Sequence, residues 1–413
     1  MKFINIIDPI HDFIKIYSDE IEIIDNPIFQ RLRNIRQLSG AHLVYPGARH
    51  SRFEHSLGVL HIANFIAITL YEKGMLQHDD IKNIRLAALL HDIGHGPFSH
   101  LFEEISIEKG KTSHEKMGHK IIIHTTIGDI ISKYGFNKRY VADIAFGRSK
   151  KHFVNEIISG ALSSDIMDYL LRDGYFTGAE HAKIDHKRIV QSLGLYNKKL
   201  ALEKSAIYSF ESMMYSRYQM FKTVYFHKTV RSAEVMLLNS IKLSFEKLGF
   251  HYLTIDDYLT LTDDSMLQKL LNLSDTCKEI KYAKNLAENY NNRILLKCVF
   301  ESHSNKIHSK LEVQELIKSL SYESKVPENE IFVDRSITSS IPLTTSKKEY
   351  DSITLLLNNN LKIQKIPMSK LPLISALTGF MNILRIYTSN KHKKKVEIAA
   401  RLIFNKYEKK ISN

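Results

Sequence analysis

Leu86-Ala87-Ala88-Leu89-Leu90-His91-Asp92-Ile93-Gly94-His95-Gly96-Pro97-Phe98-Ser99-His100 runs from an apolar helix into a His-Asp pair, then into a glycine and proline loop that carries two further histidines. Burying an imidazole beside a carboxylate at the end of such a helix is costly unless something satisfies both, and a divalent cation does so efficiently. A His-Asp pair held by hydrogen bonds alone is the alternative. Two other segments weigh against it. Arg52-Phe53-Glu54-His55-Ser56-Leu57-Gly58 opens a second apolar helix from which His55 can point inward. Ser163-Ser164-Asp165-Ile166-Met167-Asp168-Tyr169-Leu170-Leu171-Arg172-Asp173 opens a third, with Ser163 or Ser164 as cap. On it Asp165, Tyr169 and Arg172/Asp173 share one face at i, i+4 and i+7/i+8. His55, His91, Asp92 and Asp165 together form a candidate metal site. Two imidazoles and two carboxylates leave open positions for water and a substrate oxygen, as a catalytic rather than structural site requires.

Working outward, Ile4 to Ile16 alternates around Asp8-Pro9 and reads as a short hairpin. From Asn26-Pro27 the pattern turns helical, with Phe29, Leu32, Ile35, Arg36 and Leu38 at i, i+3 and i+4 spacing. Further helices are expected near 55–73, 80–91, 114–133, 153–173, 205–247, 257–270 and 275–290. Beyond about residue 290, β-rich pieces at Arg293–Phe300, Glu330–Asp334 and Leu361–Ile366 alternate with polar segments. The expected fold is mostly α: an orthogonal all-helical domain with a short N-terminal β-hairpin over 1–290, and a smaller C-terminal α+β region over 291–413. That second region is a candidate for subunit contacts. Segment Lys347 to Asn360 and the last few residues are expected to be mobile.

Composition narrows the chemistry. Among 413 residues the two cysteines, Cys277 and Cys298, make neither a four-thiolate zinc site nor a disulfide framework. Twenty histidines supply nitrogen ligands instead, and imidazole with carboxylate does not distinguish Mn, Fe, Mg, Zn, Ni or Co. No run approaches about 18 consecutive apolar residues and no signal peptide is read at the N-terminus, so the expectation is a cytoplasmic protein without a membrane partner. The net charge of +13 is compatible with a polyanionic partner, nucleotide and nucleic acid alike. Much of it sits in clusters such as Lys391-His392-Lys393-Lys394-Lys395 and Lys409-Lys410, for which a solvated face is the alternative.

Taken together, Phe29-Gln30-Arg31-Leu32-Arg33, Gln37-Leu38, the two His-bearing stretches above, Ser113-His114-Glu115 and Asp165…Asp173 occur in the order of a known family. Over residues 4–230 the chain resembles the HD-domain phosphohydrolases, in the branch of the deoxynucleoside triphosphate triphosphohydrolases (dGTPase and SAMHD-type enzymes). The resemblance implies His55, His91, Asp92 and Asp165 as metal ligands. It implies His114 with Glu115 as a catalytic pair, and His95 and His100 as contacts to the phosphates or leaving group. Arg52 and Arg217 match triphosphate contacts. Gln37, Leu38, Tyr169 and Asp173 match the pocket around the deoxyribose, and Tyr225 stands at the family's spacing beside it. Alone, Arg217 within Tyr215-Ser216-Arg217-Tyr218 reads as a surface helix arginine; Tyr225-Phe226-His227-Lys228 following at that spacing reverses the preference.

Departures are visible too. Ile166 follows Asp165 where the mammalian branch has a phosphate-binding lysine, and Phe226 stands where that branch is polar near the base. Asp25, Gln30, Arg33 and Lys228 match contacts to a regulatory nucleotide. A capped, salt-bridged first helix with Asp25 as cap is the alternative. The resemblance thus implies hydrolysis of deoxynucleoside triphosphates, dGTP by default, to deoxynucleoside and inorganic triphosphate, by a homo-oligomer. The other readings are a metal-dependent phosphodiesterase or nuclease on single-stranded nucleic acid, and a non-catalytic nucleotide-sensing or RNA-binding protein.

Overall fold

The computed structural model describes residues 2–109, 112–250, 253–274, 277–303, 309–336 and 383–411, with 354–356, 363–364, 371 and 373. It is mostly helical with a short N-terminal hairpin and a small C-terminal sheet, as the sequence indicates. The chain divides into two units that are not consecutive in sequence. The first comprises Met1–Met220, Phe245–Lys269 and Ser346–Ser375; the second comprises Phe221–Ser244, Leu270–Thr345 and Ala376–Asn413. The boundary expected near residue 290 falls inside the second unit.

In the first unit, strands β1 (Phe3–Asp8) and β2 (Asp12–Tyr17) pair antiparallel, with Ile14 and Ile16 of β2 fully buried. Short helices α1 (Ser18–Ile24) and α2 (Pro27–Gln30) follow. The centre is α3 (Arg52–Glu72), apolar on all sides and packed against α4 (His78–Leu90) and α10 (Ser164–Thr177). By length and composition α3 is long and apolar enough to cross a membrane, yet 72% of its apolar window is buried in the structure, as in a core helix. Around these lie α5 (His100–Glu108), α6 (His114–His124), α7 (Thr126–Lys133), α8 (Lys138–Ala145), α9 (His152–Ile158) and α11 (His186–Gln191). A hairpin of β3 (Leu193–Tyr196) and β4 (Lys199–Glu203) leads to α12 (Ile207–Met220), and α14 (Ile255–Leu259) and the start of α15 (Asp263–Leu271) complete the unit's helices. Strand β4 pairs parallel with β7 (Thr354–Leu356), which pairs with β8 (Ile363–Gln364).

In the second unit α13 (Lys228–Ser244) packs against α16 (Lys278–Asn291). An antiparallel sheet runs in the order β5 (Lys297–His303), β9 (Ile383–Thr388), β6 (Ile331–Ser336). Helices α17 (Lys310–Ser324) and α18 (Lys393–Ile411) bury Leu320, Val396 and Ala400 together with Ile331 and Ile386 of that sheet.

Several expected helices break, for local reasons. The helix beginning at Pro27 becomes a 3-10 turn at Arg31–Asn34 and ends at Ile35, whose carbonyl accepts the Arg52 N–H at 2.9 Å while Arg36 bridges to Ser51. Pairing with the start of α3 therefore replaces the last helical turn. Its cap is Asn26, whose side chain accepts from the Ile28 N–H; Asp25 is instead the last residue of α1's turn, so the capping role read for Asp25 is corrected. The stretch 114–133 divides at Thr125, the cap of α7, and 153–173 divides before Ser163, which caps α10. A π-helical turn, Phe221–Tyr225, interrupts 205–247. The strand expected at Leu361–Ile366 comprises Ile363–Gln364 among the described residues, and most of Lys347 to Asn360 lies outside them.

Candidate metal centre

Helices α3, α4 and α10 each deliver one side chain to a single point. One nitrogen each of His55 and His91 and one oxygen of Asp165 lie within 4.8 Å of one another. His55 and His91 are buried, and the Asp165 side chain is about one third exposed, which leaves the cluster open on one side. His91 ends α4, and its Nδ1–H donates to the Ala88 carbonyl at 2.7 Å. Its Nε2 is left buried with no hydrogen-bond partner, lone pair outward, which is costly without a ligand and natural for a metal-binding imidazole. His55 repeats the arrangement: Nδ1–H donates to Asp168 Oδ2 at 2.8 Å while Nε2 faces Asp165 Oδ1 at 3.1 Å. Burial opposes charging His55, yet hydrogen bonds to Asp165 and Asp168 outweigh it and push its pKa up to about 10. A divalent first-row ion held by these nitrogen and oxygen donors would take the place of the proton between His55 Nε2 and Asp165.

Asp92, the fourth expected ligand, borders the cluster. Its Oδ1 lies 3.3 Å from His91 Nε2 and its Oδ2 lies 3.8 Å from His55 Nε2. The carboxylate is also paired with Arg52, and despite burial that guanidinium, ahead of the His91 and His95 rings, holds it well below the usual carboxylate range.

Asp168, which the sequence reading passed over, is the structural hub beneath the cluster. Fully buried, it accepts from His55, from His11 Nε2 at 2.6 Å, and from Arg172 Nε at 2.8 Å. Arg172 in turn donates to Asp8 Oδ2 at 2.8 Å, so the hairpin tip and α10 are joined under the site. Gly58 makes room, since a Cβ there would lie 1.8 Å from Asp168 Oδ1. Replacing Asp168 by asparagine is expected to lower metal affinity about 10–100-fold, because the carboxylate that fixes the His55 tautomer is lost. Metal titration of the folded variant measures this, and unchanged affinity would remove Asp168 from that role.

On the far side of Asp92 stands a second group. His95 Nε2 lies 3.3 Å from Asp92 Oδ1, and its ring stacks on His114 with centroids 4.0 Å apart. Burial, then the charge of Arg52, hold His95 well below the usual imidazole range, so it is neutral. The carboxylate paired with His114 is Glu103 of α5, not the neighbouring Glu115, which is exposed. Glu103 Oε1 accepts the His114 ring N–H at 2.7 Å and its backbone N–H at 3.0 Å. Burial opposes charging Glu103, but hydrogen bonds from His100 and His114 hold it well below the usual range. His100 is mostly exposed and lies 3.5 Å from the other oxygen.

Of the residues matched to a sugar pocket, Gln37 and Asp173 meet at His50. Gln37 N–H donates to the His50 carbonyl at 3.0 Å, and His50 Nε2 pairs with Asp173 Oδ1 at 2.7 Å while its ring stacks on Phe176. The Gln37 side-chain oxygen is buried without a partner. Leu38 is half-buried beside it in sequence, and Tyr169 is half-buried, its pKa raised by burial and within the electrostatic reach of Arg217, Asp165 and Asp173. Arg217 is buried on α12, so the surface reading does not hold. His50 was missed by the sequence reading, which had no local signal for it. Tyr225 and Lys228 belong to the second unit, at the end of the π-helical turn and the start of α13. Of the residues matched to a regulatory nucleotide, Asp25 is exposed, Gln30 accepts from Arg33 Nε at 2.7 Å, and the Arg33 guanidinium lies over the Phe53 ring.

The chain matches the HD domain family over residues 52–173 and the HD associated region over residues 184–412. It is 38% identical over 272 residues to an uncharacterized protein of Methanocaldococcus jannaschii, covering 65% of this chain and 55% of that protein. It is 31% identical over 323 residues to the deoxynucleoside triphosphate triphosphohydrolase SAMHD1 homolog of Dictyostelium discoideum, covering 73% of this chain and 60% of that protein. The chain thus spans a little over half the length of these two relatives. Among solved structures, a hypothetical protein from Aquifex aeolicus superposes with a TM-score of 0.77 at 29% identity, over 97% of this chain and 100% of that one.

Proposed function

The chain belongs to the HD phosphohydrolases, in their SAMHD-like branch, and on that premise we propose that it is a metal-dependent hydrolase of deoxynucleoside triphosphates, dGTP by default. The products are the deoxynucleoside and inorganic triphosphate. The observation that carries this reading is the convergence of the His55, His91 and Asp165 cluster with the His114–Glu103 pair in one unit. A divalent ion at the cluster would supply Lewis-acid polarisation of a phosphoryl oxygen.

The chain's own residues account for the rest. Water adds its oxygen to the α-phosphorus, the bond from phosphorus to the 5′-oxygen breaks, and a proton passes to that oxygen. His114, oriented through its ring N–H to Glu103, is positioned to deliver the proton. Arg52 and Arg217 offset the negative charge of the triphosphate. Asp173 and Gln37, gathered at His50, accept and donate to the 3′-hydroxyl, and Tyr169 takes the space of a 2′-hydroxyl. The name of the Dictyostelium relative supports the same substrate class. The net charge of +13 favours a second reading, cleavage of single-stranded nucleic acid.

One comparison separates the two. Purified protein with Mn or Mg is incubated with each dNTP, each NTP, single-stranded DNA and RNA, and the products are resolved by chromatography. Free triphosphate from dNTPs, with NTPs spared, is the expected result. Shortened oligonucleotides with intact dNTPs would overturn it.

A further inference from the structure

Between Asp92 and His100 the chain makes a turn whose backbone is met by side chains from far away in sequence. Arg31 donates through Nη2 to the carbonyls of Ile93 at 3.1 Å and His95 at 2.8 Å, and Ser39 Oγ donates to the Phe98 carbonyl at 2.9 Å. Tyr258 OH donates to the Gly94 carbonyl at 2.7 Å, and Asp263 Oδ1 accepts the Phe98 N–H at 2.7 Å. The turn needs holding. Phe98 and Ser99 have φ of +53° and +50°, the left-handed region that side chains disfavour, and two such residues in succession persist only when their surroundings over-determine them. Ser99 is also where the turn reaches the metal centre: its Oγ accepts Arg52 Nε at 2.7 Å, and the same guanidinium holds Asp92.

We propose that Asp263 and Tyr258, which lie outside the stretch matching the HD domain, are positioning residues of the active site. They fix the turn that carries His95 and Ser99 and, through Ser99 and Arg52, the carboxylate of Asp92. Both belong by contact to the same unit as the metal centre. Asp263 is 1% exposed at the first position of α15, and its second oxygen accepts Arg36 N–H at 3.1 Å and the Arg36 guanidinium at 3.4 Å. Arg31, Arg36 and Asp264 are the charged groups acting on it. A carboxylate kept ionised under such burial is costly, and a buried acceptor of three N–H groups is what the strained turn and the Arg36 segment require. Burial nonetheless pushes its pKa up to about 6, so the acceptor is fully present above that pH and is lost on acidification.

The test compares full-length wild type, Asp263→Asn and Tyr258→Phe. Hydrogen exchange of peptides covering residues 93–99 is expected to be faster in both variants, while metal content stays at the wild-type level. With dNTP as substrate, a reading this part of the test rests on, Asp263→Asn is expected to lower kcat about tenfold to a hundredfold with KM little changed. Tyr258→Phe is expected to lower it less. The ratio of wild-type to Asp263→Asn kcat should shrink as pH falls through about 6, since the wild type then loses its carboxylate too. Unchanged exchange in the turn, or unchanged kcat, would overturn the proposal, and Tyr258→Phe decides it if Asp263→Asn does not fold. A wild type that turns over no dNTP refutes the substrate reading, and the exchange result still decides the positioning role.

Discussion

Asp165→Ala is expected to release the metal and cut turnover by at least about 10³-fold while leaving the fold intact. The magnitude follows from the several kcal/mol of charge stabilisation that a bound ion supplies, each 1.36 kcal/mol being about tenfold in rate. Asp165 is the cleanest of the proposed ligands to remove, because its side chain is about one third exposed while His55, His91 and Asp92 are buried. After the change Ser163 still caps α10 through the Ile166 N–H, and Asp168 still joins His55, His11 and Arg172. Elemental analysis per chain, a thermal melt by circular dichroism and product chromatography read the three parts separately. Loss of metal and turnover, with a melt matching that of metal-stripped wild type, supports the cluster. An active, metal-replete Asp165→Ala would remove it. His91→Ala should give the same loss of metal and turnover, but its ring is buried at the end of α4, so a lower melting temperature is expected alongside.

The candidate metal cluster was legible because its cost is local. His91-Asp92 at the end of an apolar helix, His55 at the start of another and Asp165 in the first turn of a third each announce themselves within a few residues, and the structure brings three of these side chains to one point. What was hidden lies in pairings over long separations. His11 reaches Asp168 across 157 residues and Asp263 reaches Phe98 across 165, and no short window contains either pair. Glu103, eleven residues before His114, bonds its ring, and no local signal marked it; Glu115, which the resemblance sets beside His114, is its neighbour in α6, and adjacent helix residues do not face each other. Helix existence was read better than helix ends for the same reason. Ile35 leaves its helix to accept from Arg52, a non-local bond that periodicity does not register.

His114→Ala is expected to lower turnover about 10²–10⁴-fold with metal content unchanged, the range for removing a positioned general acid. Glu103→Gln should cost less, because it removes the group that orients the proton carrier and not the carrier itself. In the wild type the His114 ring N–H and its backbone N–H converge on Glu103 Oε1, which fixes both the tautomer and the start of α6. An amide in that place carries no charge to offset the doubly protonated ring that delivers a proton from Nε2 while Nδ1–H is held, and it can donate to Nδ1 instead of accepting from it, so the carrier is neither charged nor oriented as before. The double variant discriminates between two roles for Glu103. Acting only through His114, it adds nothing once the imidazole is gone, and the double variant is as slow as His114→Ala alone. If the two losses multiply, Glu103 has an independent role, and the nearest group through which to exert it is His100, 3.5 Å from its other oxygen and mostly exposed toward solvent. Single-turnover rates with a dNTP, taken beside metal analysis of all three variants, decide between these outcomes.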